Sequence, residues 1–203
     1  MQRVMRGSES IDAHSHRRDV ILWTQEAVSR LEELSGALSH RILSACACRY
    51  PTSDLQDVRA KYAETKSIPV AHQMLRSKFE SFLRDTLSLD EATVHDVIQR
   101  GWGLAGILMS DRIVATKIPK SQYLKDYLQE SDPETRRRYY CHCPRIRQAL
   151  ELSMSISSTY CYCGSGFYRG IWEDILQVSI DVEVLETVLQ GDDVCKFVVY
   201  LPR

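Results

Sequence analysis

Residues 179–201, SIDVEVLETVLQGDDVCKFVVYL, carry a strand–turn–strand pattern. Ile180, Val182, Val184, Glu186 and Val188 recur with a strict period of two, the pattern of a half-buried strand. Gln190-Gly191-Asp192-Asp193 supplies a turn, and residues 194–201 return antiparallel with Cys195, Phe197, Val199 and Leu201 in alternation. Just upstream, Phe167, Ile171, Trp172 and Ile175 are spaced three to four apart, which predicts a helix over 167–176. A helix feeding a hairpin makes this end of the chain α+β.

Further towards the N-terminus the period is helical. Ile21, Ala27, Leu31, Leu34, Leu38 and Ile42 predict one amphipathic helix over 18–45, delivering Cys46 and Cys48 at its end. Pro51 blocks its continuation. Ser53 with Gln56 reads as a capping box for a helix over 54–64, and Ser88 with Glu91 as a second one, for a helix reaching Arg100. Between them Pro69 opens a helix whose apolar face is Val70, Met74, Leu75, Phe79, Phe82 and Leu83. Four such helices are enough for a bundle. Gly101, Gly103 and Gly106 then allow a sharp turn or close backbone approach, and residues 113–118 read as a short strand stopped by Pro119. Ser121 caps a helix over 122–129, Asp132-Pro133-Glu134 starts another, and Pro144 opens a third over 145–152. Residues 156–163 are β-prone and run into Gly164-Ser165-Gly166. The expected organisation is a helical domain over 1–130, packed on an α+β domain over 131–203 with a small antiparallel sheet.

The 203 residues can bury one substantial core or two small ones. With 44% hydrophobic and 26% charged residues the composition is that of a globular chain. Lys+Arg at 26 against Asp+Glu at 27 leaves a net charge of −1, which removes the general attraction that nucleic-acid binders rely on. MQRVMRGSESIDAHSHRR contains no apolar run, and the greasiest stretches, 102–109 and 197–202, fall short of the ~20 residues a bilayer requires. The expectation is a cytoplasmic protein without a membrane or nucleic-acid partner, acting on a small molecule as a monomer or homodimer.

Seven cysteines are the unusual feature. Six fall into three Cys-x-Cys pairs, Cys46/Cys48, Cys141/Cys143 and Cys161/Cys163, with Cys195 alone. On an extended segment such a pair places both sulfurs on one face, about 6–7 Å apart. Two pairs supply the four thiolates that suit a structural Zn²⁺. Cys141/Cys143 and Cys161/Cys163 flank one predicted helix and are expected to converge as neighbouring strands; Cys46/Cys48 can replace either pair or serve a second ion. Two other readings stay open. Cysteine packs as a small hydrophobe, the natural role for Cys195 beside Phe197. Cys163, just before a glycine-flanked helix start, is placed for thiol activation, hence for redox or nucleophilic chemistry.

Other groups carry weaker signals. Gly164 and Gly166 before a helix, together with Arg145, suggest an anion cradle that lacks the lysine of a P-loop. Glu186, at an inward strand position, must be paired, protonated or coordinating.

The stretch Glu183-Val184-Leu185-Glu186-Thr187, then Gly191-Asp192-Asp193-Val194-Cys195-Lys196-Phe197, follows a helix over 166–176 and resembles the ending of the V4R (4-vinyl reductase) domain. Similar endings occur in 2-amino-thiazoline-4-carboxylate hydrolase-like proteins. The resemblance implies a buried pocket for small hydrophobic or aromatic molecules, with zinc beside it. It maps Cys195, Glu186 and Cys163 onto the zinc ligands, while Thr187 and Leu189 stand where a further cysteine is expected. The three Cys-x-Cys signatures also look like those of an uncharacterised prokaryotic family. The leading expectation is a cysteine-ligated zinc protein with a small-molecule-binding domain in a sensing role. The alternatives are a thiol- or metal-dependent hydrolase and an iron–sulfur protein.

Overall fold

In the computed structural model, which describes residues 11–12, 14–45 and 49–202, the sheet has four antiparallel strands in the order β1-β2-β4-β3. They are β1 (Ile107–Leu108), β2 (Arg112–Thr116), β3 (Val182–Glu186) and β4 (Lys196–Tyr200). The expected hairpin is β3 and β4, in which Val182 faces Val199 and Val184 faces Phe197. β2 adds to the other side of β4, with Ile113 opposite Val199 and Ala115 opposite Phe197. These side chains are β-branched, small or aromatic and all four are buried, so a continuous apolar face turns towards the helices. Cys195, one residue before β4, keeps step with Phe197 and Val199 and is buried with them.

Nine α-helices surround this face among the described residues: α1 (Arg17–Glu32), α2 (Gly36–Ala45), α3 (Gln56–Thr65), α4 (Ile68–Ser81), α5 (Glu91–Gln99), α6 (Leu124–Gln129), α7 (Pro133–Tyr140), α8 (Pro144–Glu151) and α9 (Tyr162–Leu176). The α+β expectation is borne out. The expected boundary near residue 130 falls between β2 and β3, strands of one sheet; the larger of two buried clusters includes residues from Leu55 to Val199, and a smaller one joins Ile21, Ala149 and Ile156. Helix α9 is central. It lies against α2, α3, β3 and β4, and buries Tyr168, Ile171, Trp172, Ile175 and Leu176 at helical spacing.

Several local expectations change. The helix predicted over 18–45 is two helices, because Ser35 caps the second one by accepting the Leu38 N–H at 3.2 Å. Leu34, placed on the inward stripe, is 56% exposed at the break. Cys46 and Cys48 lie outside the described residues. Neither sequence-read capping box forms. Ser53 bonds Asp54, and α5 is capped by Asp90, whose carboxylate accepts the Thr93 N–H at 2.9 Å while Glu91 pairs with Arg84. Helix α4 ends in a π-helical turn, Phe82–Thr86.

The strand expected over 156–163 is instead a 3-10 turn, Ser158–Cys161, running straight into α9. Gly164 and Gly166 are therefore helical residues rather than a turn. Gly164 is needed for close approach: a Cβ there would lie 2.7 Å from Phe197 Cζ. Local β-propensity loses to the packing of α9 on β4.

Candidate functional site

The Cys141-His142-Cys143 segment is the extended joint between α7 and α8. Pro144 forces it, since the residue before a proline is driven out of the helical region, and Cys143 has φ −73°, ψ 118°. His142 Nε2 donates to the Ile118 carbonyl at 2.7 Å, which ties the joint to the chain leaving β2. Cys141 is buried, and Cys143 Sγ lies 3.8 Å from the Tyr160 hydroxyl. Cys161 and Cys163 come from the start of α9, and Cys195 from the residue before β4.

These elements enclose a cavity of about 570 Å³, and all five described cysteines line it. Among the described residues no disulfide joins them. Much of the remaining wall is aromatic, with Phe79 from α4, Phe82 from its π-helical turn, Phe167 and Tyr168 from α9, and Phe197 from β4, and Leu104, Ile118 and Ile146 add aliphatic surface. Lys117 crosses the wall with its ammonium 5.2 Å from the Phe167 ring centre. Volume and lining are those of a small-molecule site.

Burial dominates the electrostatics. The Cys141 thiol is pushed up by desolvation, as are the hydroxyls of Tyr140 and Tyr168. His142 is held down to about 4, by burial first and the Lys117 charge second, so its ring is neutral. Cys161 and Cys195 behave as a pair. The Cys161 Sγ is 2.7 Å from the Thr187 Oγ1, and the Cys195 Sγ 4.0 Å from the same oxygen. A hydrogen bond from Cys161 stabilises the Cys195 thiolate and draws that group down to about 7, while Cys161 is driven up by the same bond and by burial.

Cys141, Cys143, Cys161, Cys163 and Cys195, from both later pairs and the lone position, thus come to one wall. They converge through helix ends and a strand start, not as neighbouring strands. Among the described residues, no three His, Cys, Asp or Glu side chains form a group with metal-holding geometry. Glu186 lies outside the cavity lining and is paired with Lys196 at 2.5 Å. Arg145 turns to α1, donating to Thr24 Oγ1 at 3.3 Å and lying over Trp23; of the anion-cradle residues only Gly164 lines the cavity. Lys117, Tyr140 and Tyr160 carry no motif in the sequence that marks them as wall residues. Thr187 alone had a signal, as the residue standing where the V4R pattern expects a cysteine.

The fold and site describe an α+β protein built around a thiol- and aromatic-lined cavity. Residues 127–202 are similar to a family of unknown function (DUF6144), and that stretch contains all five cavity cysteines. No curated protein and no solved structure matches the chain. Among the described residues no helix is long and apolar enough to cross a membrane.

Proposed function

We propose that the protein binds a small, largely apolar molecule in the cavity between α4, α9 and β4, in a sensing or carrying role. The observation that supports this reading is the cavity itself: a space of about 570 Å³, walled by aromatic rings and thiols, is wide enough for a ligand of one or two rings. Aromatic walls give such a ligand dispersion contacts and a dry surface. The resemblance of the chain's ending to V4R domains points to the same class of ligand. Thermal shift against a panel of one- and two-ring compounds tests it. Binders are expected to raise the midpoint in the natural protein and not in Ser121→Trp, which fills the cavity from its exposed rim. No stabilising compound, or undiminished stabilisation in the variant, overturns the reading.

A second reading is a metal centre on the same wall. It is supported by the convergence of five cysteine thiols on one cavity lining, soft donors that suit zinc or an iron–sulfur cluster. Elemental analysis after reducing purification is expected to find at least one zinc or iron per chain on this reading; less than one removes it.

A further inference from the structure

We infer that the ligand is a monocarboxylic acid with an apolar body, its carboxylate held by Lys117. The inference deepens the cavity reading and rests on it.

Two ammonium groups reach the cavity wall, Lys78 and Lys117, and no described Asp or Glu lines it. Lys78 is neutralised from outside by Asp57, at 3.0 Å. For Lys117, no described carboxylate forms an ion pair; its contact is the face of Phe167. The titratable groups that feel its charge are the Cys141 and Cys195 thiols and the His142 ring. The side chain is half-buried with its charge against the Phe167 ring, a setting with some desolvation cost that the Cys195 thiol, which the Lys117 charge helps to draw down, compensates only in part. Cation–π contact offsets only part of that cost. An entering anion would offset the rest, and a single cation calls for a single negative charge.

Most of the remaining lining is aromatic, aliphatic or thiol. Phe79 and Phe82 stack at 6.3 Å, Tyr168 and Phe197 pack at 5.2 Å, and Phe167 lies under the ammonium. The ligand chemistry is therefore asymmetric: a charged head at one end, a hydrocarbon or aryl body at the other.

The experiment is isothermal titration calorimetry with matched probes: octanoate against octanol, and 3-phenylpropionate against 3-phenylpropanol. In the natural protein each acid is expected to bind at least tenfold more tightly than its alcohol at low ionic strength. Lys117→Met should reduce that ratio to about one while leaving alcohol affinity in place, which also reports an intact cavity. Lys117→Arg should keep the ratio. Alcohols binding as tightly as acids to the natural protein overturn the inference and leave the cavity reading standing, as does an acid preference that survives in Lys117→Met. If neither acids nor alcohols bind the natural protein, the cavity reading falls, and this inference with it.

Discussion

The Tyr140 hydroxyl accepts a hydrogen bond from the Cys195 backbone N–H at 2.8 Å, fastening the end of α7 to the start of β4. The same hydroxyl donates to the Lys117 carbonyl, so one side chain holds the exits of α7 and β2 and the entry of β4 together at the cavity wall. Tyr140 is 1% exposed, which leaves water no access to these groups. Tyr140→Phe is expected to lower unfolding free energy by about 1–3 kcal/mol, the cost of stranding buried backbone groups. Urea denaturation of both proteins checks it.

The thiols should differ in reactivity. Cys195 is drawn down to about 7 by the hydrogen bond from Cys161, whereas Cys141 and Cys161 are pushed up. Because the thiolate is the nucleophile, iodoacetamide labelling of Cys195 should accelerate as pH rises through about 7, with Cys141 and Cys161 protected until the protein unfolds. Peptide mass spectrometry over pH 6–9 reads the order. Cys141 labelling ahead of Cys195 would contradict the pairing.

Stability should fall in mild acid. His142 is held down to about 4 from an ordinary 6.5, and His72, which bonds the Gly106 carbonyl, is also lowered by burial. Between those values the unfolded chain binds the proton that the folded chain refuses. The His142 contribution is therefore fully present above pH 6.5 and declines as pH drops towards 4, by up to about 1.4 kcal/mol per unit. Chemical denaturation at a series of pH values should give a shallower decline for His142→Gln.

Two glycines should respond oppositely to alanine. Gly103 has φ +93°, and a Cβ there would sit 2.2 Å from Phe79 on the cavity wall. Gly103→Ala is expected to cost roughly 2–4 kcal/mol, combining left-handed strain with overpacking. Gly170 is an exposed residue of α9 with nothing within 4 Å of a Cβ, so Gly170→Ala should stabilise by about 0.5–1 kcal/mol. Thermal unfolding midpoints of the two variants, moving in opposite directions, are the measurement.

Much of the element pattern is local and can be read from neighbours in the chain. Period-two alternation over 180–188 marks β3, although the strand ends at Glu186 and a 3-10 turn takes Val188. The Asp132-Pro133 start of α7 works as read, with Asp132 accepting the Thr135 N–H at 2.8 Å, and Pro144 opens α8. Each depends on groups a few residues apart, whose geometry the backbone fixes wherever the segment lies.

Local pattern in the chain is therefore enough for the α+β class, the hairpin, several helix starts and the presence of clustered thiols. The turn of residues 156–163 into α9 depends on tertiary packing, because Gly164 must lie against Phe197, whereas the break at Ser35 is a local cap that the apolar period masks. Packing alone brings Lys117 over Phe167 and sets Cys161 and Cys195 together beside Thr187. Those meetings follow from β2 pairing with β4 and α9 packing across them. They join residues far apart in the chain, and burial of a shared apolar face, which no local period encodes, selects them.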